Sequence, residues 1–257
     1  MIPMPVLFVA HGAPTYALEP GLAGAGLVRL GERLPRPKAV LVLSPHWISR
    51  EPRITGAARP ETIHDFGGFP DELYRLQYPA PGAPALAAAL AAWLREAGYR
   101  AELDKGRGLD HGAWVPLRFL YPEADVPVLQ LSMPAWLEPA SSWALGEALR
   151  PLRGQGILIV ASGSLTHNLY EFRQGVTAPA DYALAFESWA REAVRRHDKA
   201  ALLDYLNAPH GRRAHPTPDH YLPLLMAAGA ASPDGEVEVL EGDMRYGMLS
   251  MESYLFG

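Results

Sequence analysis

The sequence predicts a single α/β domain spanning residues 1–257, with a central, mostly parallel or mixed sheet flanked by helices and an active site at the strand carboxyl ends. Three observations carry this expectation. Short unbroken Val/Ile/Leu runs recur along the chain, as in strands buried on both faces. Helical patterns separate them, as in repeated βα units. Histidines fall just beyond several of the runs.

In chain order, PVLFVA (5–10) reads as a first strand and 19–33 as a helix, followed by a second strand at AVLVLS (39–44). PALAAALAAWLREAG (84–98) is strongly helical, YRAEL is a short strand candidate, and WVPLRFLY (114–121) is a further helix. VPVLQLSM (126–133) and GILIVAS (156–162) are buried-strand runs separated by a helix over 139–152. ADYALAFESWAREAVRR (180–196) has the period of a long amphipathic helix. TPDHYLPLLMAAGAA reads as a helix capped by Thr217 with Pro218 in its first position, and the tail alternates like two strands, EVEVLE and MLSMESYLF.

Composition narrows the function. The net charge of −5 lacks the basic excess of a nucleic-acid binder. No apolar run reaches the roughly 20 residues needed to span a bilayer, and the start MIPMPVLFVAHG lacks the basic segment of a signal peptide. A cytoplasmic protein with no nucleic-acid or membrane partner is expected, and a homo-oligomer is compatible with the sequence. With 0 cysteines, any metal must be held by His, Asp or Glu.

The 9 histidines are the most informative feature. His11 follows PVLFVA directly, His46 follows AVLVLS after one proline, and His167 follows GILIVAS after GSLT. Ligands in open α/β sheets bind beyond the strand carboxyl ends, so residues far apart in sequence can converge there. Imidazole is a common ligand for transition-metal dications and also an acid or base near neutral pH. HPTPDH (215–220) offers His215 and His220, the latter in the expected first helical turn; His111 and His64 lie in the Gly-containing segments LDHGAW and IHDFGGFP. A lone loop histidine is more often solvated or hydrogen-bonded than a ligand; His197, at a helix end, reads as a cation favoured by the helix dipole, and His210 as a surface residue. Asp65, Asp110 and Asp219 each neighbour a histidine as an orienting partner or as a turn residue; for Asp110 and Asp219 the turn reading is preferred. GLAGAG (21–26) lacks dinucleotide-binding spacing, and SGS (162–164) is not a nucleophile elbow.

HGAP (11–14), SPHW (44–47), TIHDFGGFP (62–70), LDHGAWVPL (109–117), SGSLTHNL (162–169), HPTPDHYLPLL (215–225) and GMLSMESYLFG together resemble the class III extradiol ring-cleavage dioxygenases, within them the 4,5-DOPA dioxygenase extradiol branch. The motifs run in family order over essentially the whole chain. The resemblance implies one divalent non-haem metal, Fe(II) for catalysis with zinc also able to occupy the site, acting on a catechol and O₂. By motif, His11, His46 and His220 are the metal ligands. His220 is preferred to His215 because a residue inside a helical turn is better held than one before Pro216. His167 resembles the family's acid–base histidine or is a fourth ligand, and His111 the histidine that meets substrate or dioxygen. His64 and His215 are substrate-binding candidates. Met248 departs from the small residue common in the family and is expected to alter packing near the tail without touching the ligands. The competing readings are a zinc hydrolase with His167 or Asp65 as base, a non-enzymatic binding protein like the Memo family, and a tetrapyrrole chelatase, disfavoured because SPHW and HPTPDH have no role there.

Overall fold

The computed structural model describes residues 2–173 and 175–257. Its elements run β1 (Val6–Ala10), α1 (Gly21–Arg33), β2 (Ala39–Ser49), β3 (Arg53–Thr55), α2 (Asp71–Arg75), α3 (Pro84–Glu96), β4 (Glu102–Asp104), α4 (His111–Leu120), β5 (Val128–Pro134) and α5 (Pro139–Leu149). There follow β6 (Ile157–Gly163), α6 (Asp181–Arg195), α7 (Lys199–Leu203), α8 (Gly211–Ala214), α9 (Leu222–Ala230), β7 (Val237–Leu240), β8 (Met244–Arg245), β9 (Leu249–Ser250) and β10 (Ser253–Phe256).

The main sheet has 8 strands in the order β4-β3-β5-β2-β6-β1-β10-β7. Its centre, β5-β2-β6-β1, is parallel, while β10 runs antiparallel to both β1 and β7. The expected mixed sheet is therefore present. Parallel strands need helical crossovers, and those helices cover both faces. Val6, Phe8, Leu41, Leu43, Leu129 and Ile159 face a core shared with α3, α5, α6 and α9. Leu7, Val9, Val40, Val42, Leu158 and Val160 point the other way, into a core built with α1 and α4. The two sets alternate because successive side chains on a strand leave opposite faces.

Several local expectations shift. The second strand continues through SPHW to Ser49, with a register break between Ser44 and Ile48 where Pro45 has no N–H for the ladder. The helix expected from Trp114 begins at His111, because the Asp110 side chain caps it by accepting from the Ala113 N–H. The helix expected to begin at Pro218 starts at Leu222; Thr217 does not cap it, and residues 218–221 form the turn that leads in. The tail forms β7, β9 and β10, so its second run is broken between two sheets. Trp114 is fully buried and Trp47 nearly so, but Trp136 is half exposed and stacks on Tyr99. Among the described residues, no helix is long and apolar enough to cross a membrane.

Candidate metal centre

The parallel order brings the ends of β1, β2 and β6 side by side, and three histidines arrive there by three routes. His11 leaves β1 at once, its N–H donating to the Gly163 carbonyl at 3.2 Å. The next residue, Gly12, turns the chain with φ +63°, where a Cβ would meet Met251 at 2.8 Å. His46 sits in the irregular end of β2, its N–H donating to Ser44 Oγ. His167 follows β6 and is held by its N–H to the Ala214 carbonyl, while the neighbouring Thr166 hydroxyl donates to the Met248 carbonyl.

Two more histidines complete the group. His111 is the first residue of α4, and that helix approaches β2 closely because residue 112 is glycine; a Cβ there would lie 2.4 Å from Ser44 Oγ and 3.1 Å from the His46 ring. His220 stands in the turn before α9, its carbonyl accepting from the Ser164 N–H at 2.9 Å. Ring centroids of His11 lie 4.9, 5.5 and 5.2 Å from those of His46, His111 and His220. His46 and His111 are 4.0 Å apart, and His167 stacks on His220 at 3.5 Å.

The far nitrogen of three rings is anchored, which sets where the lone pair points. The Ser162 hydroxyl donates to the Gly112 carbonyl and is 2.9 Å from His11 Nδ1, so Nδ1–H donates to Ser162 and Nε2 keeps its lone pair. Asp65 accepts from both the His111 N–H and Nδ1–H, at 2.9 and 3.0 Å. Asp219 accepts from His220 Nδ1–H at 2.5 Å, leaving His220 Nε2 buried without a hydrogen-bond partner. Asp219 is thus an orienting partner in contact with the ring, correcting the turn reading preferred from sequence. Asp110 is a buried helix cap receiving bonds from Ser44 and Gln130.

Electrostatics favour neutral rings. Burial, reinforced by the neighbouring imidazoles, pushes His11 far below its ordinary value and His46 down to about 2. Burial and the adjacent His220 push His167 down to about 3. Burial alone would raise the Asp65 and Asp219 carboxyls, but hydrogen bonds from His111 and His220 outweigh it and hold both below the usual carboxylate range.

This donor set fits a metal. Neutral imidazoles suit first-row dications. His11 Nε2 and His46 Nε2 are 3.0 Å apart, close to the separation of two ligands that each lie about 2.0–2.1 Å from one ion. Ring nitrogens of His11, His46 and His111 all lie within 4.8 Å of one another, and so do ligand atoms of His167, Asp219 and His220. A cavity of about 370 Å³ opens over the group, lined by His11, His46, His111, His167 and His220 together with Phe66, Phe69, Leu169, Phe172, Tyr246 and Met248.

Two expected site residues lie outside this lining. His215 is buried behind it, with Nε2–H donating to the Leu165 carbonyl at 2.7 Å and its ring among Phe186, Tyr205 and Tyr221. Of the two histidines in HPTPDH, only His220 reaches the cavity. His64 donates its Nε2–H to the Leu76 carbonyl at 2.9 Å and packs against Phe66 and Trp114, so Phe66 rather than His64 meets the cavity. His220 is held by Asp219 and not by a helical turn, which replaces the reason for preferring it over His215. Sequence reasoning missed Ser162 and the aromatic wall. Ser162, a hydroxyl ending an apolar strand run, was the one available signal; the wall comes from loops without periodicity. Met248, expected to affect tail packing, also lines the cavity.

Residues 25–257 match the family described as the catalytic LigB subunit of aromatic ring-opening dioxygenase. The chain is 39% identical to the 4,5-DOPA dioxygenase extradiol of Beta vulgaris over 97% of this chain and 95% of that one. It is 40% identical to the protein of the same name from Escherichia coli strain K12, over 99% and 95%. The crystal structure of an uncharacterized protein from Escherichia coli K12 superposes with a TM-score of 0.84 at 34% identity, covering 99% of this chain and 100% of that one. Five histidines on one cavity, in a mixed sheet matching that neighbour, agree with the sequence comparison: the chain belongs to the aromatic ring-opening dioxygenase family of the LigB catalytic subunit.

Proposed function

We propose that this protein opens the aromatic ring of a catechol beside a hydroxyl, using O₂ and one divalent cation, Fe(II) in the working enzyme. The observation that carries the reading is the convergence of five histidines on one apolar cavity, with His11 Nε2 and His46 Nε2 3.0 Å apart and His220 Nε2 buried and unpartnered. Membership of a ring-opening dioxygenase family supports oxygenase chemistry over the zinc-hydrolase and binding-protein readings.

His11, His46 and His220 would hold the metal through three imidazole nitrogens, a donor set suited to a first-row dication. Bound Fe(II) would supply a charge that acidifies the catechol hydroxyls and the one-electron chemistry that dioxygen requires. His167, unprotonated at neutral pH, takes a hydroxyl proton and can return it later. The negative charge of the ionised substrate favours the protonated ring. His111, fixed by Asp65, presents its Nε2 to the reacting atoms, and the apolar wall excludes water from them. A second assignment has its own support: His111 shares the 4.8 Å nitrogen cluster with His11 and His46, which makes it the rival third ligand.

Anaerobic Fe(II) loading, then O₂ uptake and product spectra over a catechol panel, tests the function. Oxygen consumption with a ring-opened chromophore is expected. No uptake with any catechol at full iron occupancy overturns the proposal.

A further inference from the structure

His167 owes its place to contacts made by its neighbours. The Thr166 hydroxyl donates to the Met248 carbonyl at 2.7 Å and accepts from the Ser250 N–H at 2.9 Å, so one side chain stitches the exit of β6 to the tail. Ser164 donates its hydroxyl to the Thr166 carbonyl at 2.8 Å and its N–H to the His220 carbonyl. The same turn is thereby tied to the other histidine of a stacked pair. The tail is held in turn from α6, where Glu187 Oε2 accepts from the Ser250 hydroxyl at 2.6 Å. Glu187 also accepts from Arg191 at 3.3 Å, and the same guanidinium bonds both oxygens of Glu252. The Tyr254 hydroxyl donates to Glu252 at 2.7 Å. Thr166 and Ser250 are fully buried and Glu252 nearly so.

Two carboxylates sharing one arginine are a costly way to fill space. Burial pushes the Glu187 carboxyl above its ordinary range, against the hydrogen bond from Ser250. Buried charges of this kind add little stability over apolar side chains of similar volume, but their directional bonds can fix one geometry. The segment fixed here is 248–250, of which Met248 and Leu249 line the cavity and Ser250 meets the residue before His167. His11 and His46 are anchored elsewhere, to Ser162, Gly163 and Ser44. Resting on the ring-opening reading above, we propose that Glu187 and Ser250 are positioning residues. Through the tail and Thr166 they hold the His167 ring where it can take the substrate's proton, without a part in metal binding.

The full chain in zinc-loaded and iron-loaded forms tests this. Glu187→Ala and Ser250→Ala each remove the bond between α6 and the tail. Each should lower kcat by about 10- to 100-fold, as for a misplacement of about 1 Å, with KM within about threefold and zinc stoichiometry near that of the parent. In NMR spectra of the zinc-loaded protein, the His167 ring protons, which feel the stacked His220 ring, should shift in both variants. Glu187→Gln keeps a partner for the Ser250 hydroxyl and should restore both kcat and the ring resonances. Tyr254→Phe removes a buried hydrogen bond at the far end of the network without touching Ser250, and should leave both unchanged. Ring resonances that stay in place in the Ala variants overturn the positioning role whatever the kcat. A loss carried by KM, a failure of Glu187→Gln to restore kcat, or an equal loss in Tyr254→Phe overturns it too. If Glu187→Ala does not fold, Ser250→Ala decides. If no form consumes any catechol, ring opening falls and the ring resonances alone decide the positioning.

Discussion

His167 and His220 stack face to face, ring centroids 3.5 Å apart and planes within 4° of parallel. Two imidazoles in this contact cannot both carry a proton cheaply, since like charges at such a distance repel strongly when buried. Asp219 holds one ring by its Nδ1–H, so that ring is suited to a fixed role and His167 to a proton-transfer role.

That division predicts His167→Ala to keep metal stoichiometry near that of the parent while turnover falls by roughly 10²–10⁴-fold, the usual contribution of a positioned base. Metal analysis beside steady-state kinetics reads both quantities. Equal loss of metal would make His167 a ligand.

His220→Ala and His111→Ala separate the two candidates for the third ligand. The first should lower metal affinity by on the order of 100-fold or more, and the second should leave it within a few-fold. The reverse pattern, measured by competition with a fluorescent chelator, would assign the position to His111.

The orienting carboxylates give an independent check. Asp219→Ala should weaken metal binding by about 10–100-fold, since a ligand ring then loses its tautomer lock. Asp65→Ala should act on turnover instead. If only Asp65→Ala loses metal, the ligand set is His11, His46 and His111.

Three histidines contribute no negative charge to the centre, and Zn²⁺ stands above Fe²⁺ in intrinsic affinity for such donors. Protein purified in air should therefore contain zinc and consume no O₂ until it is exchanged for iron under anaerobic conditions. Elemental analysis before and after exchange tests this, and iron at full occupancy in the aerobic protein would contradict it.

His215 should matter for stability and not for chemistry. Burial holds its pKa down at about 3, against an ordinary 6.5, so the unfolded chain binds a proton that the folded chain refuses. Its contribution is complete above pH 6.5 and is lost as pH falls from 6.5 toward 3, by about 1.4 kcal/mol per pH unit. His215→Leu should remove that slope and cost about 1–3 kcal/mol at neutral pH by stranding the Leu165 carbonyl. Urea denaturation of metal-free protein at pH 7 and pH 5 measures both, with metal affinity expected to stay unchanged.

The strand runs at 5–10, 39–44, 126–133 and 156–162 were legible because short continuous Val/Ile/Leu segments between helical patterns are the mark of strands buried on both faces. Helix starts were less so. Asp110 and Thr217 carry similar capping chemistry, yet only Asp110 caps a helix, because Gln130 and Ser44 hold it in place.

By itself, the sequence determined the α/β class, the family and the presence of His11, His46 and His167 at strand ends, since local periodicity and motif order are properties of neighbouring residues. Tertiary structure alone decided which histidine of HPTPDH reaches the cavity. It also decided that Asp219 and Asp65 each anchor a ring, and that Phe66, Leu169, Phe172 and Met248 form one wall. Those relationships join residues as far apart as 66 and 248, and no local pattern encodes them. They follow from the order β2-β6-β1-β10, which lays distant strand ends side by side. Asp219 shows the difference at close range: it is adjacent to His220 in the chain, but only the turn before α9 brings its carboxylate to the ring.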